Sequence, residues 1–476
     1  MNHMQSDRDP TEVEPEPVRG PSSTYPSTLR TEPPSLPARE LALGWLLLGI
    51  AALGIAGLFA ILLALARTPG VSDWFPTLDF FRTTLIIHVN QSVLVWFLAF
   101  GGVLWSLGER TVSFPHRIAL ALATMGCLGI ALSPFAGHSE PFLNNYVPIL
   151  RNPLFFGGLA VFALGVVLHA VLTLRQITTH TEWTRPDRLA AITAAMAAIA
   201  ALLALGWTWW HLTGWTGQAY FELLFWGGGH TVQFAYTQIM VAAWLGLAAG
   251  LGVTLRVSVR VLQGLLVLGV LPILIVPAIY GLYAVDSPEA HSAFAALMRV
   301  GGGLAALPMG LIVAYGLLQR RGELSPDEKP LYAALTASLL LFAVGGVLGW
   351  VISGVNTIIP AHYHGAIVGV TLALMGLTYH LLPLLGFSPP PPRIATLQPW
   401  VYAIGQFLHV SGLAASGAMG IQRKVAGSAQ GLDTLGAKIA MGVMGFGGLL
   451  AVIGGILFVA AAVYSLCHPQ TPRSRW

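Results

Sequence analysis

Runs of about eighteen or more apolar residues recur along almost the whole chain, the length that carries a helix across a bilayer. Inside a membrane the backbone must satisfy its own polar groups, so such runs fold as helices. Counting them gives about twelve spans, at roughly 41–66, 77–107, 118–137, 154–174, 189–211, 218–253, 261–284, 290–318, 331–353, 360–386, 399–420 and 435–465. Only 9% of the 476 residues are charged, against about 25% in soluble domains. That is too little charge to coat a soluble surface. The expected fold is all-α, a polytopic membrane protein of about twelve transmembrane helices.

The breaks carry turn residues: Ser325-Pro326-Asp327 separates spans eight and nine, and Pro389 to Pro392 forms a stiff link after span ten. Residues 1–40, rich in Pro, Ser, Thr, Glu and Arg, read as a disordered cytoplasmic tail, 41–465 as the membrane domain and 466–476 as a second short tail. Cys127 and Cys467 support neither a disulfide framework nor a cysteine metal site. Basic residues follow the even-numbered spans: Arg110 and Arg117, Arg175, Arg185 and Arg188, Arg256 and Arg260, then Arg320, Arg321 and Lys329. Because Lys and Arg accumulate on the cytoplasmic side, both termini are expected there. The net charge of +4 is thus a matter of topology, not of nucleic-acid binding.

One outer loop departs from this pattern. Arg423 and Lys424 follow span eleven, with Lys438 beyond them, on the side where positive charge is normally scarce. Either the loop is simply solvated or an anionic group lies against it, since guanidinium and ammonium groups pair well with carboxylates.

Several of the 14 histidines sit inside spans, where an imidazole is costly unless partnered. His88 lies about eleven residues into span two, His230 about twelve into span six, and His362 and His364 near the start of span ten. These three spans run from the outer face inward, so the four histidines gather at similar depth. In Pro360-Ala361-His362-Tyr363-His364-Gly365, two residues of a helix stand roughly 200° apart, at about 100° per residue. Such a pair cannot ligate one centre. It is either an interfacial pair or a ligand held out to each side, as a helix wedged between two haems would require.

The chain resembles the catalytic subunit I of the haem-copper oxidase superfamily, in wording nearer the divergent bacterial oxidases and nitric oxide reductases. The resemblance is carried by Ile87-His88 through Gly101-Gly102, by Phe225-Trp226-Gly227-Gly228-Gly229-His230, by Ala361-His362-Tyr363-His364-Gly365 and by Tyr379-His380-Leu381-Leu382-Pro383. It implies that His88 and His364 are the axial ligands of a low-spin haem and that His362 is the proximal ligand of a high-spin haem. It also implies that His230 is a ligand of copper, and that Arg423 and Lys424 meet the haem propionates. The activity it implies is that of a respiratory terminal oxidase in the bacterial cytoplasmic membrane, fed by cytochrome c or quinol through a partner subunit. The same scaffold also serves nitric oxide reduction. If the binuclear site has degenerated, a copper-free electron-transfer haem subunit remains.

The pattern fails at copper. The family takes two further ligands from an adjacent His-His pair near the end of span seven, where this chain has Ile279-Tyr280-Gly281-Leu282-Tyr283-Ala284-Val285-Asp286. Copper is normally held by several N or S ligands together. His291, Asp286 and Glu289 are substitutes to consider. The tyrosine that many members place four residues after the copper histidine is here Phe234, with Tyr236 two further on, and Tyr280 or Tyr283 stands as an alternative. Tyr280 is taken as the catalytic candidate. Arg299, inside span eight, is read either as a snorkelling residue, as a partner of a propionate or of Asp286, or as a charge filling the space of a copper ion. Glu222 is a proton-path or interfacial carboxylate. His169, His211, His380 and His409 are read as structural.

Overall fold

The structure, a computed structural model, describes residues 35–67, 78–109, 111–177, 185–423 and 432–470. Most of the expected N-terminal tail, Arg110 and Lys424 lie outside the described residues. Among those described, eleven helices are long and apolar enough to cross a membrane. In chain order these are α1 Leu36–Leu63, α2 Asp79–Leu107, α3 Phe114–Phe135, α4 Pro153–Gln176, α5 Pro186–His211, α6 Gly217–Gly250, α7 Val259–Leu282, α8 Pro288–Gln319, α9 Glu328–Trp350 and α10 Ile358–Leu384, with Leu435–Leu466 as the last.

A twelfth helix, α11 Pro392–Ala418, is 27 residues long and precedes that last one, α12. Its start carries Arg393, and Gln398, Gln406, His409, Ser411 and Ser416 lie along it. That polarity keeps it below the apolarity of its neighbours. It is tolerated because the polar side chains face protein: Gln398 accepts from Tyr379 Oη at 3.0 Å, and Ser416 Oγ lies 2.9 Å from Thr357 Oγ1. The all-α polytopic fold expected from the sequence is met, with eleven described helices of spanning apolarity and the more polar α11 as a twelfth long helix.

Neighbours in sequence pack as pairs, α1 with α2, α3 with α4, α5 with α6, α9 with α10 and α11 with α12, and α12 returns to α1. α6 and α10 lie near the middle, in contact with each other, and most of their length is buried. Between α3 and α4 the loop, expected from the distribution of Lys and Arg to be an outer one, forms a short antiparallel hairpin, β1 Glu140–Phe142 and β2 Ile149–Arg151, with Glu140 opposite Arg151 and Phe142 opposite Ile149.

Three spans are broken in ways that matter for the site. In α2, one turn widens to a π-helix over Asn90–Val95, directly after His88. Such turns are held by local polar groups and cluster at functional sites. Here the buried Asn90 Nδ2 donates to Ile86 O at 2.9 Å and to Pro148 O of the outer hairpin at 2.8 Å, while Gln91 Nε2 donates to Cys127 O of α3 at 3.1 Å. In α7, Pro272 brings a 3-10 stretch over Leu271–Ile275, because proline removes an amide donor and crowds the preceding turn. α8 is interrupted at Gly302 between Pro288–Gly301 and Gly303–Gln319.

At the cytoplasmic end expected for α2, Arg188 of α5 is 6% exposed and donates to Gly108 O at 2.7 Å and Trp105 O at 3.3 Å. A guanidinium there satisfies carbonyls that a helix terminus leaves open and complements its dipole.

Helix pairs approach closely through small residues, the usual solution where lipid supplies no hydrophobic drive. A Cβ added at Gly345 of α9 would run into the backbone of Gly365 and Ala366 of α10, and one at Gly365 would meet Gly345. Gly345→Leu is expected to destabilise the fold by about 1–3 kcal/mol through overpacking. Gly264→Ala in α7, where an added Cβ meets nothing within 4 Å, is expected to be neutral or stabilising by about 0.5–1 kcal/mol. Thermal unfolding in detergent compares the two.

Candidate functional site

One cavity of about 2710 Å³ runs through the bundle, lined from α1, α2, α6, α8, α9, α10, α11, α12 and the outer hairpin loop. Small-molecule pockets are commonly about 300–1,000 Å³, so this space has room for more than one group of ordinary ligand size. His88, His230, His362 and His364, from three separate spans, all line it, as their common depth in the sequence suggests.

The two histidines of α10 face different neighbours. His362 Nδ1 donates to Gly345 O of α9 at 2.7 Å, and the ring of His364 lies edge-on to His409 of α11 with centroids 4.6 Å apart. The i, i+2 spacing therefore does what helix geometry requires, sending one imidazole to each side. His88 Nδ1 donates to Ala56 O of α1 at 2.9 Å. A carbonyl can only accept, so in His88 and His362 the proton sits on Nδ1 and Nε2 keeps its lone pair. A backbone acceptor on the second nitrogen is what orients imidazole ligands of metals. His409 uses the same device, with Nδ1 donating to Met444 O of α12 at 2.9 Å.

The cavity walls are pared down around these rings. Gly54 and Gly57 of α1, Gly346 of α9, and Gly442, Gly445 and Gly455 of α12 line it, and a Cβ added at any of them would meet nothing within 4 Å. Arg423 also lines it, and its buried Nε has no hydrogen-bond partner among the described residues. The loop that carries Arg423 is fastened to the start of α10, where Thr357 N donates to Ile421 O at 3.1 Å. Lys438 lines the cavity as well; Lys424 lies outside the described residues. Open histidine nitrogens, glycine walls and a guanidinium nitrogen awaiting an acceptor fit flat prosthetic groups bearing carboxylates.

The residues present do not fit copper in the same way. His230, 3% exposed, has both nitrogens engaged: Nδ1 donates to Trp226 O at 2.7 Å, and Nε2 lies 2.7 Å from Tyr146 Oη. His291 lines the cavity with its ring stacked on Trp226, centroids 3.3 Å apart. Among the described residues, no group of three or more His, Cys, Asp or Glu side chains is arranged to hold a metal ion.

The other candidates fall on both sides of the cavity wall. Arg299, Glu222 and Tyr236 line it. Glu222 accepts a hydrogen bond from Asn145 of the outer loop. Asp286 does not line it and accepts from Trp215 Nε1 at 3.0 Å; Glu289 and Tyr283 also stand outside its lining. Tyr280 turns toward α5, with Oη 2.8 Å from Thr208 Oγ1, and is not part of the lining. His169 is fully buried among Trp45, Trp105 and His116. His211 lies against Trp207 with ring centroids 4.4 Å apart and the planes tilted by 35°.

Tyr146 escaped the sequence reading. It lies in a loop, 84 residues before His230, with no periodic pattern to mark it. The one available signal is Asn144: its Oδ1 accepts from the amides of Tyr146 and Val147 at 3.2 and 2.9 Å, an Asx turn that sets the loop. Burial raises the Tyr146 phenol above its ordinary value, with the charge of Glu222 adding to the effect and Arg423 opposing it. The hydroxyl therefore stays protonated and is the donor to His230 Nε2.

Fold and cavity together define a polytopic membrane protein in which histidines from three helices line one internal cavity. The family described as Cytochrome C and Quinol oxidase polypeptide I matches residues 40–463, and the chain belongs to it. It is 31% identical to an uncharacterized protein of Rickettsia prowazekii, over 88% of this chain and 94% of the relative. It is 32% identical to an uncharacterized protein of Aquifex aeolicus, over 72% of this chain and 85% of that one. The family is that of membrane-embedded oxidoreductases of the haem-copper type, which generally bind haem and draw on electron donors and O2.

Filling the glycine walls is expected to exclude the prosthetic group without breaking a helix. Gly57→Phe and Gly445→Phe should each yield folded protein with a several-fold lower haem content, read by pyridine haemochrome assay.

Proposed function

We propose that the chain is the catalytic subunit of a respiratory terminal oxidase. His88 and His364 would hold a low-spin haem that supplies electron transfer, and His362 would hold a high-spin haem that supplies the position at which O2 is reduced to water. The observation that carries this reading is the divergence of the α10 pair, with His362 anchored to α9 and His364 against α11 inside one cavity. Haem would supply electron transfer at the iron with two axial histidines, and an open coordination position at the iron with one.

The chain's own part in this is positional. Ala56 O and Gly345 O fix the tautomers of His88 and His362, so each offers Nε2 without rearrangement. Arg423, with Lys424 and Lys438, supplies positive charge for the propionates. Electrons would arrive from cytochrome c or quinol through a partner subunit, since no Cys-x-x-Cys-His motif is present in the chain. The location would be a bacterial cytoplasmic membrane, with both termini cytoplasmic by the distribution of Lys and Arg.

A second reading is nitric oxide reduction or pure electron transfer on the same scaffold. It is favoured by the engagement of both His230 nitrogens, which removes the one copper ligand the sequence retains.

Haem and metal content, measured beside O2 uptake under reductant, tests the first reading. Two haems per chain with O2 uptake is the expected result, and two haems without uptake would leave the second. His88→Ala and His364→Ala are expected to abolish the low-spin spectrum. His362→Ala is expected to abolish carbon monoxide binding and O2 uptake while leaving the low-spin spectrum in place.

A further inference from the structure

The outer end of the cavity holds a polar assembly that the haem-facing histidines do not account for. Trp226, His230 and Gln233, at spacings of four and three, share one face of α6. Trp226 O accepts from His230 Nδ1, and His230 Nε2 accepts from Tyr146 Oη, both at 2.7 Å. Gln233 hydrogen-bonds the same phenol. Gly229 makes room for it, because a Cβ there would run into the Tyr146 ring. The Asx turn at Asn144 and the bond from Asn90 to Pro148 O hold the loop from two further directions. Tyr146 is built into this position by α6, by the turn of its own loop and by α2.

This is the position the family resemblance gives to copper, and the donor set does not suit that ion. Copper sites draw on several N or S ligands. His230 has no lone pair to spare while Tyr146 donates to it, and the region of α7 from Ile279 to Asp286 contains no histidine. A fully satisfied buried polar network is costly to open.

We propose that the distal side of this site is metal-free, and that Tyr146, held by His230 and Gln233, is the group that hydrogen-bonds a diatomic ligand facing it from the His362 side. This inference rests on the assignment of His362 to the open haem. The phenol has one hydrogen, which stays on His230 Nε2 and reaches a polar atom in the cavity only as the second acceptor of a three-centre bond, so Nε2 remains occupied while Gln233 holds the oxygen. Tyr146 thereby gives the pocket a neutral donor in place of a cation.

The test uses the full haem-loaded chain from copper-supplemented cells, with carbon monoxide as the probe of the reduced protein. Elemental analysis is expected to find no copper above background. The C–O stretch is expected to move to higher frequency in Tyr146→Phe, because loss of the donor weakens back-donation, with haem content and low-spin spectrum unchanged. In His230→Leu, which frees the phenol hydrogen for the ligand, it is expected to move the other way. Stoichiometric copper that disappears in His230→Leu would overturn the inference, as would a stretch that neither variant moves. Wild-type protein that binds no carbon monoxide would overturn the His362 assignment and this inference with it. Binding with an unmoved stretch would overturn this inference alone.

Discussion

The arrangement of the site depends on one repeated interaction, an imidazole Nδ1–H donated to a backbone carbonyl. His88 uses Ala56 of α1, His362 uses Gly345 of α9 and His409 uses Met444 of α12, at 2.9, 2.7 and 2.9 Å. A carbonyl within a helix already accepts from the amide four residues on, but it has a second lone pair to offer. The bond therefore costs the helix nothing and fixes both the tautomer and the ring's direction. It also ties ligand geometry to helix packing, because each carbonyl belongs to a different span from its histidine.

That dependence explains why small residues matter so far from any chemistry. Gly345 meets Gly365 backbone to backbone, and only that close approach brings the Gly345 carbonyl within reach of His362. On the other side of the bundle the logic is reversed. A Cβ added at Gly54, Gly57, Gly442, Gly445 or Gly455 would meet nothing within 4 Å, so these positions keep space open. The same residue type thus closes helix contacts in one place and widens the cavity in another, and its role is decided by the partner opposite.

The π turn after His88 adds a third element. Asn90 within it is bonded to Pro148, so the helix that carries His88 also anchors the loop that carries Tyr146. The His88 wall of the cavity and the Tyr146 loop are therefore joined through one asparagine. His230, which the family resemblance assigns to copper, is drawn instead into hydrogen bonds with Trp226 and Tyr146.

The sequence by itself determined the membrane class, the helical architecture and the depth of the histidines, because these follow from local quantities: the length of apolar runs and a fixed rise per residue. It also determined that His362 and His364 diverge, since that is a property of one helix. Even the polar α11, the least apolar of the spans, was legible from length and position. What only the tertiary structure decided is which side chains meet across helices. Tyr146 finds His230 through a loop without periodicity, Tyr280 turns to Thr208 instead of the cavity, and Asp286 is engaged by Trp215. These pairings depend on the rotation of each helix about its own axis and on the path of the outer loops. Both are set by packing against distant segments, and no local pattern records them.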